Sequence, residues 1–327
     1  MDSENLILIA AFFLSFSNPE DIRDVGIAVV KNEADIIEPF VRYNLQFLDA
    51  LIIMDNNSSD STRIILKKLS NEGLPIVILT DKRIGHLQEE RMNFMIHAIR
   101  EWIEPEIIIP LDADEFLITP DQARLSDLLQ SLDKEVVPQV SWRSYIFTEN
   151  DDLSEPDPLR RIRHRRATEP YSTCKCILRN HHLQFPNLRL NFGSHRVNLG
   201  TEYIPEHLLL KDCALAHYPL RSVEQTTSKI LTNWLSTSLR PNLQEGQGYH
   251  KQILYEYVRK NLPLTPHHVA YMANNYLAMG CSQYLDQPLQ PLPYQDLKYL
   301  DLAKIDVVRS LLNFAEDLAD QLRGYRN

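Results

Sequence analysis

Four short apolar runs, separated by stretches with helical spacing, constrain the fold more than any other feature of this chain. "VGIAVV" (25–30), "ALIIMD" (50–55), "LPIVILT" (74–80) and "EIIIPLD" (106–112) read as strands. Between them, "EADIIEPFVRYNLQFL" (33–48) places Ile36, Ile37, Phe40, Val41, Phe47 and Leu48 at helical spacing. "SDSTRIILKKLSNEG" (59–73) opens on Ser and Asp and closes on Gly73, and "HLQEERMNFMIHAIREWI" (86–103) supplies a third helix. Strands alternating with helices predict an α/β fold, a Rossmann-like and mostly parallel sheet flanked by helices. Ligands of such sheets bind beyond the carboxyl ends of the strands.

The four strand ends are all polar: "KNEAD", "DNNSSDS", "TDKRIG" and "DADE". Loops are polar in general, which is the plainer reading, but four such ends along one edge point to a ligand. The last is the most demanding, because Asp112, Asp114 and Glu115 would repel one another and each is costly to desolvate. Carboxylates at i and i+2 can share a divalent cation, which removes the repulsion. Asp55 can accept from ribose or base donors, while Ser58, Ser59 and Asp60 can equally be just the cap of the next helix.

From about residue 134 the pattern changes. "VVPQVSWRSYIF", "STCKCILR" (172–179), "GSHRVNLG" (193–200) and "CALAHYPL" (213–220) read as strands, interrupted by the acidic loop "TENDDLSEPDP" (148–158) and the basic run "RRIRHRR" (160–166). The remainder is mostly helical, over 221–239, 249–262 and 297–322. The expected division is an apolar N-terminal segment (1–23), a domain over 24–220 with halves 24–118 and 119–220, and a helical extension over 221–327. A net charge of −10 argues against nucleic acid held by bulk charge. Four cysteines without zinc or disulfide spacing read as reduced thiols. "LILIAAFFLSF" (6–16) is too short to span a bilayer and lacks a basic start, so it is expected to pack on the domain, with peripheral membrane contact as the alternative.

The run "VVKNEADIIEPFVRYNLQFLDALIIMDNNSSDSTRIIL", followed by "LDADEFL", resembles family 2 glycosyltransferases of the GT-A fold, in the branch with "NEA", "D-N-x-S-x-D" and "LDxDEF" motifs. The likeness covers roughly 24–118 well and continues loosely through "AHYPLRSVEQTTSKI". It implies transfer of a sugar from a UDP- or GDP-sugar to a glycan or other hydroxyl acceptor, with inversion and with a divalent cation, Mn²⁺ before Mg²⁺. Asn32 and Glu33 would lie near the base, Asp55 at base or ribose, Asp112 near ribose and metal, and Asp114 on the metal. Glycosyltransferases of this fold commonly bring a third metal ligand from the C-terminal part of the domain, which makes His217 a candidate; a core histidine is the plainer reading.

Arg83 and Arg91 are candidates for phosphate, and Lys175 and His195 for phosphate or sugar, each against a plain surface or structural role. Trp142 could stack on a sugar or belong to the core. An inverting transfer needs a base for the acceptor hydroxyl. Glu149 and Asp152 are the candidates, although their loop departs from the Gly-rich form of the branch. The resemblance implies glycan synthesis in the cytoplasm, at the inner face of a membrane. A haloacid-dehalogenase-like phosphatase also carries D-x-D after a strand, but Glu115 and Phe116 stand where that class needs a small hydroxyl residue. A non-catalytic nucleotide- or glycan-binding module is the other alternative.

Overall fold

The computed structural model describes residues 3–16, 18, 21–85, 87–169, 173–240, 248–276, 280, 283–290 and 297–324. Helix α1 (Ser3–Leu14) precedes β1 (Asp24–Val30), α2 (Ile37–Asn44), β2 (Ala50–Asp55), α3 (Thr62–Asn71), β3 (Ile76–Thr80), α4 (Gln88–Ile99) and β4 (Ile107–Asp112). The predicted alternation is present, with α2 starting later than its apolar spacing suggested. The N–H groups of Glu33 and Ala34 donate to Thr62 and Asp60, so the loop after β2 holds residues 33 and 34 in a turn.

Side-chain burial explains the sheet. Strands β1 to β4 run parallel in the order β3-β2-β1-β4, and β9 (Leu178–Arg179) closes the edge antiparallel to β4. Alternate residues of each strand face opposite sides. Ala28, Val30, Leu51 and Ile53 pack with Phe40 of α2 and Ile65 and Leu66 of α3. Val25, Ile27, Ile52 and Met54 pack with Ile9 and Phe13 of α1 and Met95 and Ile96 of α4. The N-terminal apolar segment is therefore a helix docked on the sheet, pinned by two hydrogen bonds between Asn5 and Thr80. Strand β9 pairs only with Ile107 and Ile108, ahead of Pro110, which has no N–H to offer a ladder.

A second sheet has the order β5-β12-β6-β8, from β5 (Glu115–Ile118), β12 (His207–His217), β6 (Val137–Ser144) and β8 (Cys174–Cys176). Two small pairs complete the strands: β7 (His164–Arg166) with β13 (Tyr284–Asp286), and β10 (Arg189–Leu190) with β11 (Val197–Asn198). Strand β5 leaves directly from the turn after β4, and β12 pairs with both β5 and β6, so His217 ends opposite Glu115 and Ser144. This brings the two sheets together at the carboxyl end of β4.

The helical extension contains α5 (Val223–Ser238), α6 (Tyr249–Lys260), α7 (Pro266–Asn274) and α8 (Val307–Gly324). The helix expected over 297–322 is divided: the N–H groups of Lys298 and Tyr299 donate to Glu38 instead of entering a helix. The strand expected over 193–200 shrinks to β11, because Gly193 adopts φ 73° inside a short turn. Arg161, Arg163 and Arg165 of the basic run are all engaged. Arg161 donates to the carbonyls of Glu155 and Arg221, while Arg163 and Arg165 bond Asp286 and Gln287 beside β13. Among the described residues, no helix is long and apolar enough to cross a membrane.

Candidate active site

A cleft of about 490 Å³ opens at the carboxyl ends of β1 and β4, walled on its far side by α5 and α6. Its floor is the turn Asp112–Glu115. Asn44 of α2, fully buried, fixes that turn from below: its amide donates to Glu115 O and its carbonyl accepts from Leu117 N. The two aspartates point to different cations. Asp112 Oδ2 lies 2.9 Å from Lys175 Nζ, and its Oδ1 accepts from Gln88 Nε2 at 2.7 Å. Asp114 Oδ2 accepts from Lys229 Nζ at 2.5 Å, with Arg221 Nη1 at 3.8 Å.

These ion pairs set the protonation states. Burial alone would raise the Asp114 pKa, but Lys229, His217 and Arg221 outweigh it and hold the carboxyl well below the usual range. Burial works against the charged forms of Lys175 and Lys229; their carboxylate neighbours, Asp112 first for Lys175 and Asp114 first for Lys229, hold both ammonium groups charged. Glu115 has no exposure, and burial raises its pKa to about 8 despite Lys175 at 3.5 Å. Its carboxyl accepts from Trp142 Nε1 at 2.6 Å and from Asp112 N at 2.8 Å.

His217 stacks against Trp142 with centroids 4.0 Å apart, and its Nε2 lies 3.8 Å from Asp114 Oδ1. Burial lowers its pKa to about 4, so it is neutral near pH 7, and its buried Nδ1 has no hydrogen-bond partner. Trp142 therefore both packs in the wall and lines the cleft.

The site residues named from sequence divide by where the fold puts them. Asp112, Asp114, Lys175, His195 and His217 come together in the cleft, joined at its rim by Asn32, Glu33 and Arg91. Glu33 bonds Arg221 Nη2 at 2.5 Å, which places it beside the Asp114 network; burial, opposed by Arg221, raises its pKa to about 7. Asp55 is buried at the end of β2, where Oδ1 accepts from Ser58 N and Oδ2 has no hydrogen-bond partner. Asn32 is bonded to Ser59 and Ser310. His195 Nδ1 pairs with Cys174 O at 2.5 Å.

Arg83, Glu149 and Asp152 lie outside the cleft lining, and Arg91 at its rim is engaged by Asp81. Arg83 is held by Asp81 and Glu90 outside the cleft lining, and Arg91 Nε is bonded to Asp81 at 2.9 Å. Both arginines thus serve Asp81 in this arrangement. The base candidates Glu149 and Asp152 also lie outside the cleft: Glu149 is exposed and bonded to His267, and Asp152 caps Ser154.

Sequence reasoning missed Lys229, Arg221, Gln88 and the contribution of α6. A signal for Lys229 was present. Lys229, Thr232, Asn233 and Ser236 recur at i, i+3, i+4 and i+7, which is a polar stripe on one face of α5, and all four line the cleft. Lys251 of α6 reaches the same space and donates to Asn233; burial lowers its pKa to about 8.

The donors for a cation are therefore present, but each aspartate is engaged by an ammonium group. Among the described residues, no group of three His, Cys, Asp or Glu side chains is already arranged around a metal position.

Comparison with known proteins agrees with the geometry. Residues 27–182 match the profile of the family described as glycosyl transferase family 2. No curated protein matches the chain significantly. Solved structures are similar at low identity. The mannosyltransferase PcManGT from Pyrobaculum calidifontis, solved with GDP-Man and Mn²⁺, is 14% identical with TM-score 0.39, covering 84% of each chain. The mannosyl-3-phosphoglycerate synthase from Rubrobacter xylanophilus is 15% identical with TM-score 0.32, over 73% of this chain and 82% of that one. At such scores neither carries an argument about substrate.

Proposed function

We propose that the chain, whose residues 27–182 match the profile of glycosyl transferase family 2, moves a sugar from a nucleotide-sugar, a UDP- or GDP-sugar, to a hydroxyl of a glycan acceptor with inversion. The observation that carries the reading is the meeting of Asp112, Asp114, His217, Lys175 and Lys229 at the carboxyl end of β4. Departure of a nucleoside diphosphate develops negative charge, and fixed cations in a water-poor cleft stabilise it strongly. Lys175 and Lys229 supply that charge from the protein.

A divalent cation belongs to the proposal. At the D-x-D turn, Lys175, Lys229 and Arg221 are already engaged by the carboxyl groups of Asp112, Asp114, Glu115, Glu33 and Asp35, so these three cations are not free for an entering diphosphate. Asp112, Asp114 and His217 would hold the ion, and the imidazole favours Mn²⁺ over Mg²⁺. When bound it would neutralise charge on the leaving diphosphate. For this Lys229 has to release Asp114. The unpartnered Oδ2 of Asp55, buried at the end of β2 and outside the cleft lining, would meet a ribose hydroxyl or base N–H only if the loop after β2 opens. Glu149 and Asp152 can take the acceptor proton only by leaving His267 and Ser154 and moving to the cleft.

The setting proposed is cytoplasmic, against a membrane surface. Its support is α1, which leaves Ile7 and Leu14 exposed at 66% and 69%.

The test is calorimetric titration of UDP and GDP into the full chain, with and without Mn²⁺. Binding of one nucleotide supports the reading and names the donor class. Failure of both, with the protein folded, defeats it in favour of a phosphatase or a module of other specificity.

A further inference from the structure

Two asparagines, one in each of the loops after β1 and β2, adopt left-handed backbone conformations, Asn32 at φ 55° and Asn57 at φ 53°. Such conformations cost non-glycine residues energy and persist where the surroundings over-determine them. Here the surroundings include a helix almost at the other end of the chain. Asn32 Nδ2 donates to Ser310 Oγ at 3.2 Å, and Asn57 Nδ2 donates to Asp317 Oδ1 at 2.8 Å. Asn313 Nδ2 reaches Asn57 O at 3.3 Å and Asp317 Oδ2 at 3.2 Å. Ser310, Asn313 and Asp317 follow at i, i+3 and i+7, so one face of α8 reads both loops. Ser310 and Phe314 on that face are buried, whereas Val308 and Leu312 point away.

The loops are also tied to each other. Ser59 N donates to Asn32 Oδ1 and Asn32 N donates to Ser58 Oγ. Together they carry Asn32, Glu33 and Asn56 into the cleft, whereas Ser310, Asn313 and Asp317 do not line it. Helices α5 and α6 wall the cleft, whereas α8 lies behind the loops after β1 and β2.

We propose that α8 is a clamp for the nucleoside side of the cleft: through Ser310, Asn313 and Asp317 it holds the loops of Asn32 and Asn57 in the conformation that accepts a nucleoside diphosphate. The three are positioning residues. The inference rests on the donor reading above, since it assigns those loops to the nucleotide.

The experiment is titration of UDP and GDP into the full-length wild type and into Ser310→Ala, Asp317→Ala, Asp317→Asn and the outward-facing Leu312→Ala, with thermal melts of each. Ser310→Ala and Asp317→Ala should weaken nucleotide binding about tenfold or more, and raise the donor KM while leaving the acceptor KM unchanged. Asp317→Asn keeps an acceptor oxygen for Asn57 and should stay within about threefold of wild type, and Leu312→Ala should match it. If the wild type binds a nucleotide and folded Ser310→Ala and Asp317→Ala bind it equally well, the clamp is overturned alone. A folded wild type that binds neither nucleotide overturns the donor reading and the clamp with it. If Asp317→Ala does not fold, Ser310→Ala and Asn313→Ala decide by the same readouts.

Discussion

Lys229 Nζ lies 2.5 Å from Asp114 Oδ2, and the carboxylate end of that pair is buried at the floor of the cleft. A residue from the helical extension thus neutralises the second aspartate of the D-x-D turn. Arg221, four residues after His217, ties the same aspartate to Glu33 and Asp35. The charge balance of the site therefore depends on a segment that lies outside the β-α-β array and beyond residue 182, where the family match ends.

Replacing Lys229 by Met should lower kcat about 10²-fold to 10³-fold, the usual cost of removing one preorganised charge from a transition state. Stability should fall less, by about 1–3 kcal/mol, because the Arg221 guanidinium still faces Asp114. Steady-state kinetics with a thermal melt separates the two effects. A Lys229→Met protein with wild-type kcat would remove Lys229 from the chemistry.

The same pair governs cation binding. Mn²⁺ added without nucleotide must compete with an ammonium group for Asp114. Lys229→Gln removes the competitor, so it should bind Mn²⁺ more tightly than wild type, while Asp114→Ala should lose the ion. Paramagnetic titration of Mn²⁺ reads both. Equal affinity in wild type and Lys229→Gln would show that the ion does not use Asp114.

Asn44 supports the D-x-D turn without touching the cleft. Asn44→Ala leaves Glu115 O and Leu117 N buried without their side-chain partner, at about 2–4 kcal/mol for the two groups. The expected outcome is a large drop in melting temperature, with nucleotide affinity reduced as the turn loosens. An unchanged melt would mean that the β4–β5 turn holds itself.

Much of this arrangement was legible in the sequence, and the limits have physical causes. The parallel sheet could be read because β1, β2 and β4 are buried on both faces and spell nearly unbroken apolar runs. Asp112 and Asp114 stood out because carboxylates beside a buried strand require cations. Lys175 could be named as a candidate for phosphate or sugar but not as the partner of Asp112, and Lys229 read locally as a helix residue; only tertiary packing brings both ammonium groups to one turn. Arg83 looked like a phosphate ligand because it follows β3, but Asp81 and Glu90 lie within its reach and claim it. Ser310 and Asp317 were invisible for the same reason as Lys229: their partners are more than 250 residues away.

A final prediction concerns pH and lies away from the cleft. His182 has no exposure; its Nδ1 accepts from Arg179 N at 3.1 Å and its Nε2 faces Glu135 O. Burial lowers its pKa to about 4, against about 6.5 in an unfolded chain. As pH falls below about 6.5 the unfolded chain takes up a proton that the folded one refuses, so stability declines until the folded histidine also protonates near 4. The loss attributable to this group is at most about 3 kcal/mol. Denaturant midpoints between pH 7 and pH 4 should fall, and His182→Gln should flatten that slope while lowering stability at pH 7. A slope unchanged in His182→Gln would assign the acid sensitivity to other groups.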